Sequence, residues 1–132
     1  MKSVCVVVLN YRTWQDTVEC LRSLLKDSYR PRQIVVVDNG SDNNSVYRIT
    51  SWAAGEGVRL EMRPKAGPAP GSGGPADARS GSEIVLIEAG RNCGYAAGNN
   101  VGIRYALSGR FDFVLILNND TIVSEGFLQP LV

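Results

Sequence analysis

Four short runs in this chain are apolar on every side, and each is followed closely by polar residues. They are Val4–Leu9 before Asn10-Tyr11, Ile34–Val37 before Asp38-Asn39, Ile84–Ile87 before Arg91-Asn92, and Phe113–Leu117 before Asn118-Asn119-Asp120. A short run with no polar face reads as a strand buried on both faces, the pattern of a parallel sheet. Parallel strands need crossovers, and segments of helical period supply them. Trp14, Val18, Leu21 and Leu25 give one apolar face after Thr13, which looks like an N-cap with Asp16 at the third helical position. Arg30-Pro31 ends that segment. Val46, Ile49 and Ala53 define a second helix, capped by Asp42 or Asn43 and stopped by Gly55 and Gly57. Val101, Tyr105 and Leu107 lie on a third, and Ser124 would cap a last one that has barely begun at Val132. Weak alternation from Val58 to Met62 suggests a short edge strand. The expectation is one α/β domain over residues 1–132, a mostly parallel sheet with helices on both faces.

Two features depart from that regularity. Arg63 to Ser82 is dominated by Pro, Gly, Ala and Ser. Such a stretch buries too little apolar surface to offset its ordering entropy, so it reads as a flexible surface insertion with no function assigned. The end of the chain falls a few residues into an expected helix, so the sequence reads as a fragment or a natural truncation.

Composition removes several function classes. The net charge is +1, which argues against a general nucleic-acid binder. There is no histidine, so neither a Ser-His-Asp triad nor a His-based zinc site can be built. The cysteines, Cys5, Cys20 and Cys93, are odd in number and lack a Cys-x-x-Cys pair. That pattern suits a reducing cytosol, with Cys5 a small core residue. Val4–Leu9 is too short for the apolar part of a signal peptide. No run approaches the ~20 apolar residues of a membrane span.

In a parallel sheet all four strand ends share one edge, where ligands bind. That edge offers an aromatic ring (Tyr11), two carboxylates (Asp38 and Asp120), several amides and Arg91. A ring can stack on a base, a carboxylate can accept from a base or a ribose, and a cation on Asp120 can neutralise a diphosphate. Asn-Asn-Asp and Asp-Asn-Gly-Ser are also good turn formers, so any single ending has a purely structural explanation.

The ordered set Val-Val-Val-Leu-Asn-Tyr11, Val-Val-Val-Asp38-Asn-Gly-Ser-Asp42, Asn92-Cys-Gly-Tyr-Ala-Ala-Gly98-Asn-Asn100 and Leu117-Asn-Asn-Asp120 resembles the family two inverting glycosyltransferases. The resemblance is closest to their rhamnosyltransferase-like branch and excludes roughly residues 55–83. It implies a GT-A fold and transfer of a sugar from a dTDP- or UDP-sugar to a saccharide or lipid-linked hydroxyl acceptor. It implies that Tyr11 lies against the base, with Asn10 beside it. Asp38 and Asn39 would bind the nucleoside, with Asp42 as helper or simply a helix cap. Arg91 or Asn92 would reach the nucleotide or a phosphate. Asn118 would face the ribose, next to Asn119. Asp120 would hold Mn²⁺ or Mg²⁺, though Asn118 stands where the family's motif has its first Asp. Gly94, Gly98 and Asn100 would form a donor loop, the glycines serving either donor approach or helix–sheet packing.

The family's catalytic base comes from the acceptor side, beyond Val132, so none is named here. The resemblance further implies bacterial cell-surface polysaccharide synthesis in the cytoplasm, at the inner face of the membrane if the acceptor is lipid-linked. Apolar surface left uncovered would favour association, a homo-oligomer included, or instability. Competing readings are a non-catalytic nucleotide-binding module and a sugar nucleotidyltransferase. The latter should show a Gly-rich phosphate loop after the first strand, where Asn-Tyr-Arg-Thr-Trp stands instead. A dinucleotide-dependent oxidoreductase lacks its G-x-G-x-x-G. A phospho-acceptor domain lacks the acidic cluster it needs after the first strand.

Overall fold

The apolar runs become strands β1 (Val4–Asn10), β2 (Gln33–Asp38), β4 (Ile84–Glu88) and β5 (Phe113–Asn118), with β3 at Leu60–Pro64. Three helices connect them: α1 (Trp14–Leu25), α2 (Ser45–Gly55) and α3 (Tyr95–Ser108). This is a computed structural model, and it describes residues 2–27, 30–64 and 81–131. The strands form one sheet in the order β3-β4-β2-β1-β5. Every pairing is parallel.

Period-two alternation divides the strand side chains between two cores. Val4, Val6 and Val8 of β1 face α1 and α2, meeting Val18, Leu21, Leu24 and Ile49. Cys5 and Val7 face α3, meeting Val101, Tyr105 and Ala106. Both faces of β1 and β2 are therefore covered, which is why these strands carry no polar face. Tight packing of α3 depends on two glycines. A Cβ on Gly98 would lie 2.8 Å from Leu9 Cδ1, and one on Gly102 would lie 2.5 Å from Val7 Cγ1. After β5 the chain returns across α1. Ser23 Oγ accepts from the Val123 amide at 3.1 Å, the Asp27 carboxylate accepts from the Gly126 amide at 3.1 Å, and Leu128 is buried in the first core.

Several expectations are corrected. β5 is not buried on both faces. It is an edge strand, and Phe113, Val114 and Ile116 are exposed. At this edge of the sheet α3 covers β5 only in part, so Val114 and Ile116 on its α3 side stay exposed. Leu107, expected on the apolar face of α3, is 60% exposed. Thr13 does occupy the N-cap position of α1 but makes no side-chain capping bond. Asn44, rather than Asp42 or Asn43, is the N-cap residue of α2. Asn43 accepts from the Ser45 amide at 3.0 Å, and Asp42 turns instead to Arg12. Ser124 opens no α-helix among the described residues, where a 3₁₀ turn at Gln129–Leu131 follows. Arg63 and Pro64, assigned to the insertion, belong to β3. The remainder of that segment, residues 65–80, lies outside the described residues.

Candidate functional site

Parallel register sets the site. Asn10 at the end of β1 is aligned with Asp38 at the end of β2, and Leu9 with Asn118 at the end of β5. Both Asn10 and Asp38 are buried, so each must find partners inside the protein. Asp38 accepts from the Asn10 amide at 2.9 Å, from the Ser41 hydroxyl at 2.8 Å and from the Ser41 N–H at 3.1 Å. Asn10 in turn accepts from the Thr17 hydroxyl of α1 at 2.6 Å. Asn119, just past β5, donates to Thr13 Oγ1 at 2.7 Å and to Thr17 Oγ1 at 3.1 Å. The Thr13 hydroxyl, which makes no cap bond to α1, thus serves the β5 end instead.

The loop carrying Tyr11 is fastened to the loop after β2. Arg12 adopts a positive φ of 62°, a conformation that costs a non-glycine residue on the order of 1–3 kcal/mol and persists only when its neighbours enforce it. Here the Arg12 N–H donates to Ser41 Oγ at 2.7 Å, its carbonyl accepts from Asn43 at 3.0 Å, and its guanidinium pairs with Asp42 at 2.5 Å. The same guanidinium lies 4.9 Å from the Tyr11 ring centroid, a cation–π distance.

A cleft of about 260 Å³ opens beside this frame, lined by Leu9, Tyr11, Thr13, Tyr95, Asn118, Asn119 and Asp120. Tyr95, the first residue of α3, reaches across and donates its hydroxyl to Asn118 Oδ1 at 2.8 Å. The cleft therefore has two aromatic walls and one carboxylate. Beneath it the Cys20 thiol is pushed up to about 12, by burial first and then by the charge of Asp120. Cys5, deep in the second core, is pushed equally high by burial.

The expected site residues fall into two groups. Tyr11, Asn118, Asn119 and Asp120 line the cleft, while Asn10 and Asp38 lie in the hydrogen-bonded layer beside it. Asn39, Asn92 and Gly94 instead form a clamp: Asn39 donates to Asn92 Oδ1 at 3.1 Å and to the Gly94 carbonyl at 3.3 Å. Its own Oδ1 accepts from the Cys93 N–H at 3.2 Å. Gly94 has φ 85° at the N-cap of α3 with open space around it, so the backbone turn requires glycine there. Gly98 serves helix–sheet packing. Arg91 and Asn100 are exposed and lie outside the cleft lining. Sequence reasoning missed Tyr95, Thr13 and Thr17. Tyr95 stood in plain view inside the Gly94–Gly98 motif, and its position opening a helix after a glycine was the available signal.

The donor set limits what metal could be held. No group of three His, Cys, Asp or Glu side chains suited to a metal occurs among the described residues. Asp120 is the one carboxylate of the cleft lining. That fits Mg²⁺ or Mn²⁺ of the kind bound through one or two carboxylates plus substrate phosphates, and does not fit an all-protein cage.

The all-parallel sheet with helices on both faces is the GT-A fold of solved glycosyltransferases. The mannosyltransferase PcManGT from Pyrobaculum calidifontis, solved with GDP-Man and Mn²⁺, superposes with a TM-score of 0.65 at 21% identity, over 91% of this chain and 28% of that one. S. aureus TarS 1-349 in complex with UDP gives 0.66 at 18% identity, over 98% and 30%. In sequence, the glycosyltransferase GlyG of Streptococcus pneumoniae serotype 4 is 26% identical over 128 residues, 97% of this chain and 33% of that protein. Residues 3–72 match the glycosyl transferase family 2 profile, and the chain belongs to that family. It spans about a third of the length of GlyG and of these structures. Among the described residues no helix is long and apolar enough to cross a membrane.

Proposed function

We propose that this chain is the nucleotide-sugar-binding part of an inverting glycosyltransferase whose donor is a dTDP- or UDP-sugar. The observation that carries the reading is the cleft that sets the Tyr11 and Tyr95 rings beside Asp120, the single carboxylate of its lining. Support comes from family membership and from the nucleotides in the two structural neighbours. Tyr11, steadied by the Arg12 guanidinium, lies against the base. Asp38 already accepts three hydrogen bonds. An ionised carboxylate has about four acceptor sites, so one remains for a base N–H or a ribose hydroxyl. Asn118, oriented by Tyr95, faces the ribose. Asp120 would hold the divalent cation, which when bound stabilises charge on the departing diphosphate. Arg91 or Asn92, from the neighbouring loop, would reach the nucleotide or a phosphate.

In the reaction, an acceptor hydroxyl displaces the nucleoside diphosphate from the anomeric carbon with inversion. The hydroxyl proton needs a carboxylate other than Asp120, the one carboxylate of the cleft lining, so donor binding is the step assigned to these residues. The motif set favours a rhamnosyl or other hexosyl donor and a saccharide or lipid-linked acceptor in bacterial cell-surface polysaccharide synthesis. Such work would be done in the cytoplasm or at the inner membrane face. A non-catalytic nucleotide-binding module is the second reading, favoured by the lack of a further carboxylate in the cleft lining.

Calorimetric titration with UDP and dTDP, each with and without Mn²⁺, tests the proposal. Wild type should bind one of them more tightly with metal, and Asp120→Ala should abolish the metal effect. Absence of binding to both nucleotides would remove the nucleotide-sugar reading. Sugar transfer by this chain alone would remove the expectation that its base lies beyond Val132.

A further inference from the structure

The side chains of the site are joined end to end with a single direction. Thr17 has one hydroxyl proton and gives it to Asn10 Oδ1 at 2.6 Å, so toward Asn119 Nδ2 at 3.1 Å it can only accept. Asn10 passes the direction on by donating to Asp38 Oδ1 at 2.9 Å. From the other side the Arg12 N–H donates to Ser41 Oγ at 2.7 Å, which donates to the same Asp38 oxygen at 2.8 Å. All donors run toward one carboxylate, the arrangement in which successive hydrogen bonds polarise one another favourably.

Thr17 is the residue that need not have been polar. It is fully buried on α1 beside Val18 and Leu21, where valine would fill the same volume. A helical threonine ordinarily returns its hydroxyl to the carbonyl four residues back. Here that contact, to Thr13 O, is a marginal 3.5 Å, while the bond to Asn10 is 2.6 Å. The hydroxyl is thus committed to the ends of β1 and β5, not to its own helix. Its partner Asn119 immediately precedes Asp120, and its partner Asn10 holds Asp38.

We propose that Thr17 is a positioning residue that couples the two ends of the cleft, by tying Asn119 and hence Asp120 to Asn10 and hence Asp38. The inference rests on the nucleotide-sugar reading, with the diphosphate at Asp120 and the nucleoside at Asp38 and Tyr11. If the link holds, ordering one end prepares the other, and the two parts of one ligand bind cooperatively. The quantity to read is the ratio of UDP or dTDP affinity with Mn²⁺ to that without. A purely structural threonine would lower the melting temperature and leave this ratio unchanged.

The experiment titrates UDP and dTDP, with and without Mn²⁺, into wild type, Thr17→Val, Thr17→Ser and Asn119→Ala. The ratio should fall about tenfold in Thr17→Val, a typical coupling magnitude, and recover in Thr17→Ser. Asn119→Ala breaks the same link from its half-buried end, together with the 2.7 Å bond to Thr13, so it should show the loss even if Thr17→Val folds poorly. The double variant should lose no more than either single one. Wild-type coupling that persists in Thr17→Val or in Asn119→Ala overturns the role of Thr17 alone. So do losses that multiply in the double variant. A wild type that binds but ignores Mn²⁺ also overturns it, and one that binds neither nucleotide overturns the nucleotide-sugar reading with it.

Discussion

Replacing Gly40 with alanine should damage this protein well beyond the ordinary cost of losing a glycine. Gly40 follows the Asp38-Asn39 strand end with φ +77°, and a Cβ there would lie 2.3 Å from the Arg91 carbonyl carbon, 2.4 Å from its Cα and 2.6 Å from the Asn92 nitrogen. All three are backbone atoms, so no rotamer change relieves the overlap. Gly57 is the internal control, with φ +71° and nothing within 4 Å of its would-be Cβ. Both alanine variants carry the left-handed penalty of roughly 1–2 kcal/mol. Only Gly40→Ala adds an overpacking cost of about 1–3 kcal/mol. A domain stable by more than ~5 kcal/mol, within the usual range, survives either change, so both can be measured. Urea unfolding reads the difference directly: with m of about 1–3 kcal/mol/M, the midpoint should fall about 1 M further in Gly40→Ala than in Gly57→Ala. The displaced Arg91-Asn92 backbone should also loosen the 3.1 Å bond from Asn39 to Asn92. Equal midpoints for the two variants would refute the close approach of these two loops.

Asp38→Ala takes the 2.9 Å acceptor from the buried Asn10 amide and leaves it only Ser41 Oγ at 3.4 Å, a loss of about 1–3 kcal/mol. Its urea midpoint should therefore drop, and loss of nucleotide binding in this variant must be read beside that drop. The Cys5 and Cys20 thiols are pushed up from an ordinary 9.0 to about 12, so the native state holds protons that the unfolded chain releases. Stability from these groups is complete below pH 9 and should decline as pH rises from 9 toward 12. Chemical unfolding across that range checks it, and Cys5→Ala/Cys20→Ala should flatten the decline. In native protein at pH 8 a thiol reagent should modify the half-exposed Cys93 first, with Cys5 and Cys20 reacting only after denaturant is added.

Much of the fold could be read from the chain because β1, β2 and β4 declare themselves by having no polar face. β5 has the same composition and was misjudged, because edge or centre is decided by strand order and not by local residues. The loops at the strand ends were legible as a set, yet their division of labour was not. Asn10 and Asp38 become partners only through the register of β1 on β2. Asn39 and Asn92 were read as facing a nucleotide, and their bond to each other was not visible in the sequence. Thr17 gave no local signal at all, since its contact with Asn119 spans 102 residues of sequence. Tyr95 shows its function-side position only once the start of α3 is placed against the end of β5.

The β1–β5 pairing has a consequence for how the protein comes to be made. β1 is paired on one side with β2 and on the other with β5, and the Asn119–Thr13 contact closes a separation of 106 residues. Long-range parallel pairing forms slowly, because loop-closure entropy is spent before the contacts repay it. During synthesis, β1, α1 and β2 emerge first and can associate while the other edge of β1 stays bare. The cleft does not exist in that interval, since Asn118, Asn119 and Asp120 arrive with the last strand. Formation of the cleft therefore reports arrival of β5, and an exposed β1 edge is the point at which a stalled or crowded chain would pair with the wrong neighbour.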